Sequence, residues 1–295
     1  MDLLAAKPGE RFVANWIKIS TDDTVTVVIP HCDMGTGILT SLAQMAADEL
    51  DADWAKVRSE TAPADRLFAN GAMAEGYVLG SRNLSLESIP AFLRGTAAGA
   101  FRIIAEYMDV QTTGGSTAVR LTGVYGMRIA GASAREMLVK AAAERVHAHP
   151  KEFRTEMSRV IHVPSGRSFR YGELAEAAAK YSPSAHPKLK GEEGRKLIGK
   201  EIARLEIPEK VTGAAEYGID ARPPGTMYAA IRISPVFGGR LVSVNEAVIR
   251  QNRGIHRVVK LDDAVVVVAD RYWRARDAVA ALGPVFDNRG NGSVS

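Results

Sequence analysis

Met34-Gly35-Thr36-Gly37 follows a β-branched run and precedes a stretch with helical periodicity. A strand that feeds a glycine turn and then a helix can bind an anion. The first amides of a helix point outward, and glycines let a phosphate approach the backbone. Thr36 and Thr40 add hydroxyls. The pattern is not a Walker A loop, whose Lys is absent, nor G-x-G-x-x-G, since Thr40 stands where the third glycine belongs. By itself it fits an ordinary strand-to-helix turn at least as well. Gly115, Ser116 and Thr117, within Thr113–Thr117, have the same character ahead of a long helix. They can cap that helix or form a second phosphate-contacting loop.

His31, Cys32 and Asp33 raise the question of a nucleophile or a metal. Extended backbone sends neighbouring side chains to opposite faces, so His31 and Cys32 are poorly placed to form a dyad. Cys32 is expected to be buried and inert. His147 and His149, two apart at a helix end, do not make a ligand pair. Asp48 and Glu49 are adjacent on a helix, where side chains diverge, and are expected on a solvated face. No catalytic and no metal-ligating residue is assigned.

The elements that would carry these loops are legible. Trp16–Ile19 and Thr24–Ile29 form a hairpin about Asp22-Asp23, with the second strand buried. A helix runs from about Ile38 to Leu50, with Ile38, Leu42, Met45, Ala46 and Leu50 on one stripe. Val57–Thr61 is a strand, Ile89–Val110 helical, and Val119–His147 a long helix. In the long helix Gly123, Gly126, Ala130 and Gly131 allow close packing, although each helical Gly costs about 1 kcal/mol relative to Ala. A second hairpin spans 159–171, turning at Pro164-Ser165-Gly166, and a short helix opens at Tyr171. Residues 182–209 are polar and rich in Lys, Pro and Gly, and read as a solvated linker. Beyond Lys210, strands are expected at 215–219, 226–233, 241–244 and 264–269, with helices at 245–250 and 271–282. The tail 288–295 is expected to fray.

Length and composition set the outer limits. At roughly 100–200 residues per domain, 295 residues make about two domains. Hydrophobic residues at 46% and charged residues at 24% are ordinary for a globular α/β (α+β) chain and exclude a disordered or collagenous one. The net charge of +4 is scattered and gives no support to nucleic-acid binding. One cysteine excludes an intrachain disulfide, a Cys-rich zinc site and an iron–sulfur cluster held by this chain alone. No stretch reaches the roughly 20 apolar residues of a membrane span, and the first residues lack the apolar run of a secretory signal.

Several motifs in one order carry a resemblance. Val25–Gly37, Ala46–Val57, Thr113–Arg120, Pro164–Ser168 with Tyr171–Leu174, and Ile198–Lys200 with Arg204-Leu205 resemble the molybdopterin-binding subunit of the xanthine dehydrogenase/aldehyde oxidase family. The nearest branch is that of the isoquinoline 1-oxidoreductase β-subunit and the membrane-bound aldehyde dehydrogenase large subunit. Lys210–Asp220, Pro224–Ala229 and Arg232–Pro235 resemble the start of that family's a/b hammerhead domain. The resemblance implies a molybdopterin-lobe segment over 1–209 and a hammerhead domain over 210–287. Relatives with periplasmic or membrane-associated complexes leave the compartment open.

It also implies chemistry: hydroxylation of aldehydes or N-heterocycles at a molybdenum centre, with oxygen from water. The cofactor is expected to be a molybdopterin, of the cytosine dinucleotide form, contacted by Met34, Gly35, Thr36 and Gly37 and by Gly115, Ser116 and Thr117. Iron–sulfur clusters would lie only on a small partner subunit, with a cytochrome subunit as a further partner. Thr36 replaces the family's usual Gln, whose amide both donates and accepts, so contact there shifts toward the backbone. Family chains are longer and carry a general-base glutamate further on. The chain is therefore expected to act with the remainder of the molybdenum lobe as one partner of a split subunit, or as a fragment. The alternative is a truncated, non-catalytic module or assembly scaffold without cofactor.

Overall fold

β-Branched residues are stiff at χ1 and suit a pleated, packed surface, and the first sheet is built from them. A computed structural model describes residues 6–14, 16–63, 65–80, 90–108, 112–113, 119–184 and 186–293. Strands β1 (Glu10–Phe12), β2 (Ile17–Ser20) and β3 (Val25–Ile29) pair antiparallel. β5 (Val57–Thr61) then joins β3 in parallel, with Val25 opposite Val57 and Ile29 opposite Thr61. Pro30 has no N–H to donate and follows the last β3 residue. The next two residues, β4 (His31–Cys32), take a different partner, β6 (Thr112–Thr113), also in parallel.

Helix α1 (Ile38–Leu50) makes the crossover from β3 to β5. Its sequence is apolar on nearly every side, and ten of its residues are buried. Helices α2 (Gly71–Gly80) and α3 (Ala91–Tyr107) follow. The long helix of residues 119–146 starts as a π-helix, Val119–Met127, and continues as α4 (Arg128–Val146). Gly131 lets α4 touch α1, since a Cβ there would strike the Ala46 carbonyl oxygen. A Cβ at Gly126 would stand 2.6 Å from the Trp16 ring. A three-stranded meander, β7 (Phe153–Glu156), β8 (Arg159–His162) and β9 (Ser168–Arg170), leads into α5 (Tyr171–Ala178). There the buried Tyr171 hydroxyl donates to the Leu50 carbonyl at 2.6 Å. α3 buries Phe101 and Ala105 but leaves other apolar positions outward: Phe92 is 82% and Tyr107 86% exposed, and Ile103 is exposed between them.

Two expectations change here. Asp48 and Glu49, expected on a solvated face, are buried, at 1% and 0% exposure. Residues 188–206, expected as a solvated linker, are tied to α1 by main-chain and side-chain bonds. Glu49 takes Arg128 at 2.6 Å, Arg135 at 3.8 Å and the Lys190 amide at 3.0 Å. Asp48 accepts the amides of Lys196 and Leu197 at 2.7 and 2.6 Å. Gln44 donates to the carbonyls of Leu197 and Lys200. The segment thus runs back along α1 as a strap, from its C-terminal to its N-terminal end. Buried carboxylates need partners, and a polar segment supplies them.

The chain divides into two compact units between Ala214 and Ala215. The short helix α6 (Ile207–Thr212) closes the first. The second has a sheet of β10 (Tyr228–Ile233), β12 (Ile255–Lys260) and β13 (Ala264–Ala269), with β13 central. A two-stranded pair, β11 (Arg240–Ser243) and β14 (Val285–Asp287), and helix α7 (Tyr272–Ala281) complete it. Its core is Val265, Val267, Ala269, Ala275, Ala278 and Leu282. The strand expected at 215–219 is a turn instead. Asp220 accepts from the Tyr217 amide at 3.1 Å while its own amide donates to the Tyr217 carbonyl at 2.8 Å. The helix expected at 245–250 is a 3-10 turn, Glu246–Ile249. β12 and β14 are additions to the expected set. Near the end of the described residues the Asn291 side chain donates to the Phe237 carbonyl at 2.9 Å.

Candidate cofactor site

The candidate site lies between the end of β3 and the start of α1. Ligands of open α/β sheets bind beyond the carboxyl ends of parallel strands. β3 and β5 are such a pair, and α1 rises from that end. Gly35 and Gly37 both adopt positive φ, 82° and 77°, in the left-handed region that favours glycine. Gly37 is the N-cap of α1, so it offers no side chain to the helix amides. Among the described residues, the amides of Ile38, Leu39 and Thr40 meet no cap and no main-chain acceptor. These are the orphan donors of a helix start, with the positive end of its dipole. A Cβ built on Gly35 would meet nothing within 4 Å, so the loop is open on that side.

Met34, Gly35 and Thr36 are exposed and Gly37 is buried. Thr40 does not offer its hydroxyl. It donates to Glu206 at 2.6 Å and accepts the Leu205 amide at 2.8 Å. Gly115, Ser116 and Thr117 lie outside the described residues. The strands that feed the two loops are nevertheless adjacent: Cys32 of β4 is registered with Thr113 of β6, in parallel.

Beneath the ladder His31 is buried, as are Asn70 and Thr122. His31 Nε2 lies 2.8 Å from Thr122 Oγ1, and Asn70 Nδ2 donates to the same oxygen at 2.8 Å. Asn70 Nδ2 also lies 3.3 Å from His31 Nε2, so the three side chains form one buried polar cluster. Thr122 belongs to the π-helical stretch, a form that is rare and recurs at functional sites. Cys32, expected buried, is exposed. Alternation along β4 turns His31 inward, and its neighbour must then face out.

Sequence reasoning missed three residues, Arg204, Glu206 and Lys210. Arg204 donates to the Gly35 carbonyl at 3.2 Å and to Glu206 at 2.6 and 2.8 Å. Lys210 pairs with Asp33, whose other oxygen accepts the Gly35 amide at 2.9 Å. Partial burial pushes the Asp33 carboxyl up, but the Lys210 ammonium and the Gly35 amide outweigh it and hold it below the ordinary carboxylate range. For Glu206, too, burial is outweighed by Thr40, its own amide and Arg204, and the carboxyl is held low. A sequence signal existed for the acids at the other end. Two carboxylates inside an otherwise apolar helix are seldom buried without partners, and Arg128 and Arg135 stand in the next long helix to supply them.

No group of three or more His, Cys, Asp or Glu residues among those described is placed to hold a metal ion. Uncapped amides, an open glycine turn and flanking cations suit an anionic organic group instead. Comparison with known proteins gives the same direction. Residues 5–82 match the family described as molybdopterin cofactor-binding domain. The chain is 30% identical to the beta chain of isoquinoline 1-oxidoreductase from Brevundimonas diminuta, over 90% of this chain and 34% of that protein. The chain is a relative of the molybdopterin-binding subunits of the xanthine dehydrogenase family. It is also similar to a membrane-bound aldehyde dehydrogenase [pyrroloquinoline-quinone] of Gluconacetobacter polyoxogenes, at 28% identity over 90% of this chain and 31% of that one. A nicotinate dehydrogenase subunit of Pseudomonas putida is 29% identical over 92% of this chain and 20% of its own length. The chain thus spans about a third or less of the length of these relatives. No helix among the described residues is long and apolar enough to cross a membrane.

Proposed function

We propose that this chain is part of a molybdenum hydroxylase and binds the pterin and nucleotide end of the cofactor. Met34, Gly35, Thr36 and Gly37 form one contact loop, and Gly115, Ser116 and Thr117 the other. The observation that carries this is the uncapped start of α1 at the carboxyl end of the β3–β5 pair. The parallel pairing of β4 with β6, which directly precedes the second loop in the sequence, supports the same reading. When bound, the molybdenum cofactor supplies hydroxylation of an aldehyde or N-heterocycle with oxygen from water. The share of this chain is to bind the anionic groups through backbone amides and to fix their orientation.

Residues 210–287 serve as the hammerhead domain. The remainder of the molybdenum lobe carries the general base, and an iron–sulfur subunit, with or without a cytochrome subunit, takes the electrons. The exposed Phe92, Ile103 and Tyr107 of α3 suit burial against that remainder. The cytosine dinucleotide form of the cofactor is part of the same proposal.

The test is mass spectrometry of the natively purified particle, with molybdenum and pterin measured on the same sample. Stoichiometric metal and pterin are expected, together with partner polypeptides. A particle that purifies with neither would leave the scaffold alternative in place and remove the catalytic one.

A further inference from the structure

Within the glycine loop the Gly35 amide has one side-chain partner, Asp33, at 2.9 Å. Met34, Gly35 and Thr36 are exposed, and two left-handed glycines give the backbone more freedom to lose than any other residue would. The loop's further partners come from about 170 residues later. Arg204 bonds the Gly35 carbonyl at 3.2 Å and stands against Gly37, where a Cβ would lie 3.3 Å from its guanidinium. Lys210 holds Asp33 by an ion pair while Asp33 holds the Gly35 amide. The anchor of this clamp is α1 itself. Glu206 accepts Arg204 on one oxygen and the Thr40 hydroxyl on the other, and Thr40 in turn accepts the Leu205 amide. The carbonyl and amide of Gly35 are thus gripped from two sides.

We infer that Arg204 and Lys210 are positioning residues of the cofactor loop, holding Asp33–Gly37 in its binding shape before the cofactor arrives. The inference rests on the reading of that loop as a cofactor contact. The chemistry is preorganisation: a loop already ordered spares the ligand the cost of ordering it. Neither residue needs to touch the cofactor. Their effect would run through Gly35, by charge and by fixed hydrogen bonds.

The experiment uses the full chain with Lys210→Met, Arg204→Met and the conservative Lys210→Arg. Backbone 15N order parameters are measured at Gly35 and Gly37, with Ala141 of α4 as an internal reference. Wild type is expected near 0.85 at both glycines, as for rigid backbone, roughly the upper end of the scale. The two Met variants are expected below about 0.6, with Ala141 unchanged. Pterin content of the natively purified particle should fall about ten- to a hundredfold in the same variants, the range for residues that orient a binding group from behind. Lys210→Arg should restore both. Unchanged order parameters in the Met variants overturn the inference, and so does a loosened loop with full pterin content. A wild type with a rigid loop and no pterin overturns the proposed function instead, and leaves the clamp to be judged on the order parameters alone.

Discussion

At the C-terminal end of α1, Glu49 is met by Arg128, Arg135 and the Lys190 amide, and Asp48 by two amides of the strap. Asp51 follows with Lys190 and Lys196 at 2.8 and 3.0 Å. At the N-terminal end, the amides of Ile38, Leu39 and Thr40 are met by nothing among the described residues, and the turn before them is open. One strap serves both ends: there it closes the helix, here it grips the loop and leaves the donors unspent. The difference separates stability from binding along a single helix. Charges answered within the chain hold the unit together, and the donors left over are the ones the proposed cofactor contact would use.

That contrast makes predictions of graded size. Glu49→Ala strands buried cations and should cost about 3–5 kcal/mol, read as a lowered urea midpoint. An unchanged midpoint would break the comparison at its stable end. Gly131→Ala drives a methyl into the Ala46 carbonyl and should cost about 1–3 kcal/mol in the same assay. Gly35→Ala is different in kind. Space is free there, so only the left-handed backbone resists, at about 1–2 kcal/mol. If that cost falls on the binding-competent loop, pterin content should drop by a factor of about 5–30. Meanwhile the urea midpoint moves less than for Gly131→Ala.

The smallest effect is that of acid. Asp33, Asp51 and Glu206 are all held below their ordinary values, Asp51 by Lys190, Thr155 and Lys196 against an opposing burial effect. Groups so depressed add stability that is complete above their unfolded values and is lost as pH falls through the folded ones. Thermal stability should therefore be flat from neutral pH down to about 4.5 as far as these carboxyls go, and decline below. A decline that begins at a pH of about 6 would point to other groups.

Much of this is readable from the chain alone. The Thr24–Ile29 run and the apolar stripe of Ile38–Leu50 place β3 and α1, because period and side-chain branching are local properties. The glycine loop is legible for the same reason. Cys32 goes astray because a type preference for burial points one way and the alternation that puts His31 inside points the other. Asp48, Glu49 and residues 188–206 mislead together. Each looks solvated when read alone, and the bonds that bury them join positions about 140–150 residues apart. No window of sequence contains both partners. The clamp of Arg204 and Lys210 on the glycine loop is hidden in the same way.

That separation also orders events in time. A ribosome adding about 5–20 residues per second makes α1 on the order of ten seconds before its strap. Through that interval Asp48 lacks the amides of Lys196 and Leu197, and the glycine loop lacks its clamp. The hairpin and α1 can gather early. The first unit closes only when residues 188–210 have left the tunnel, so the shape of the loop is among the last things that unit acquires.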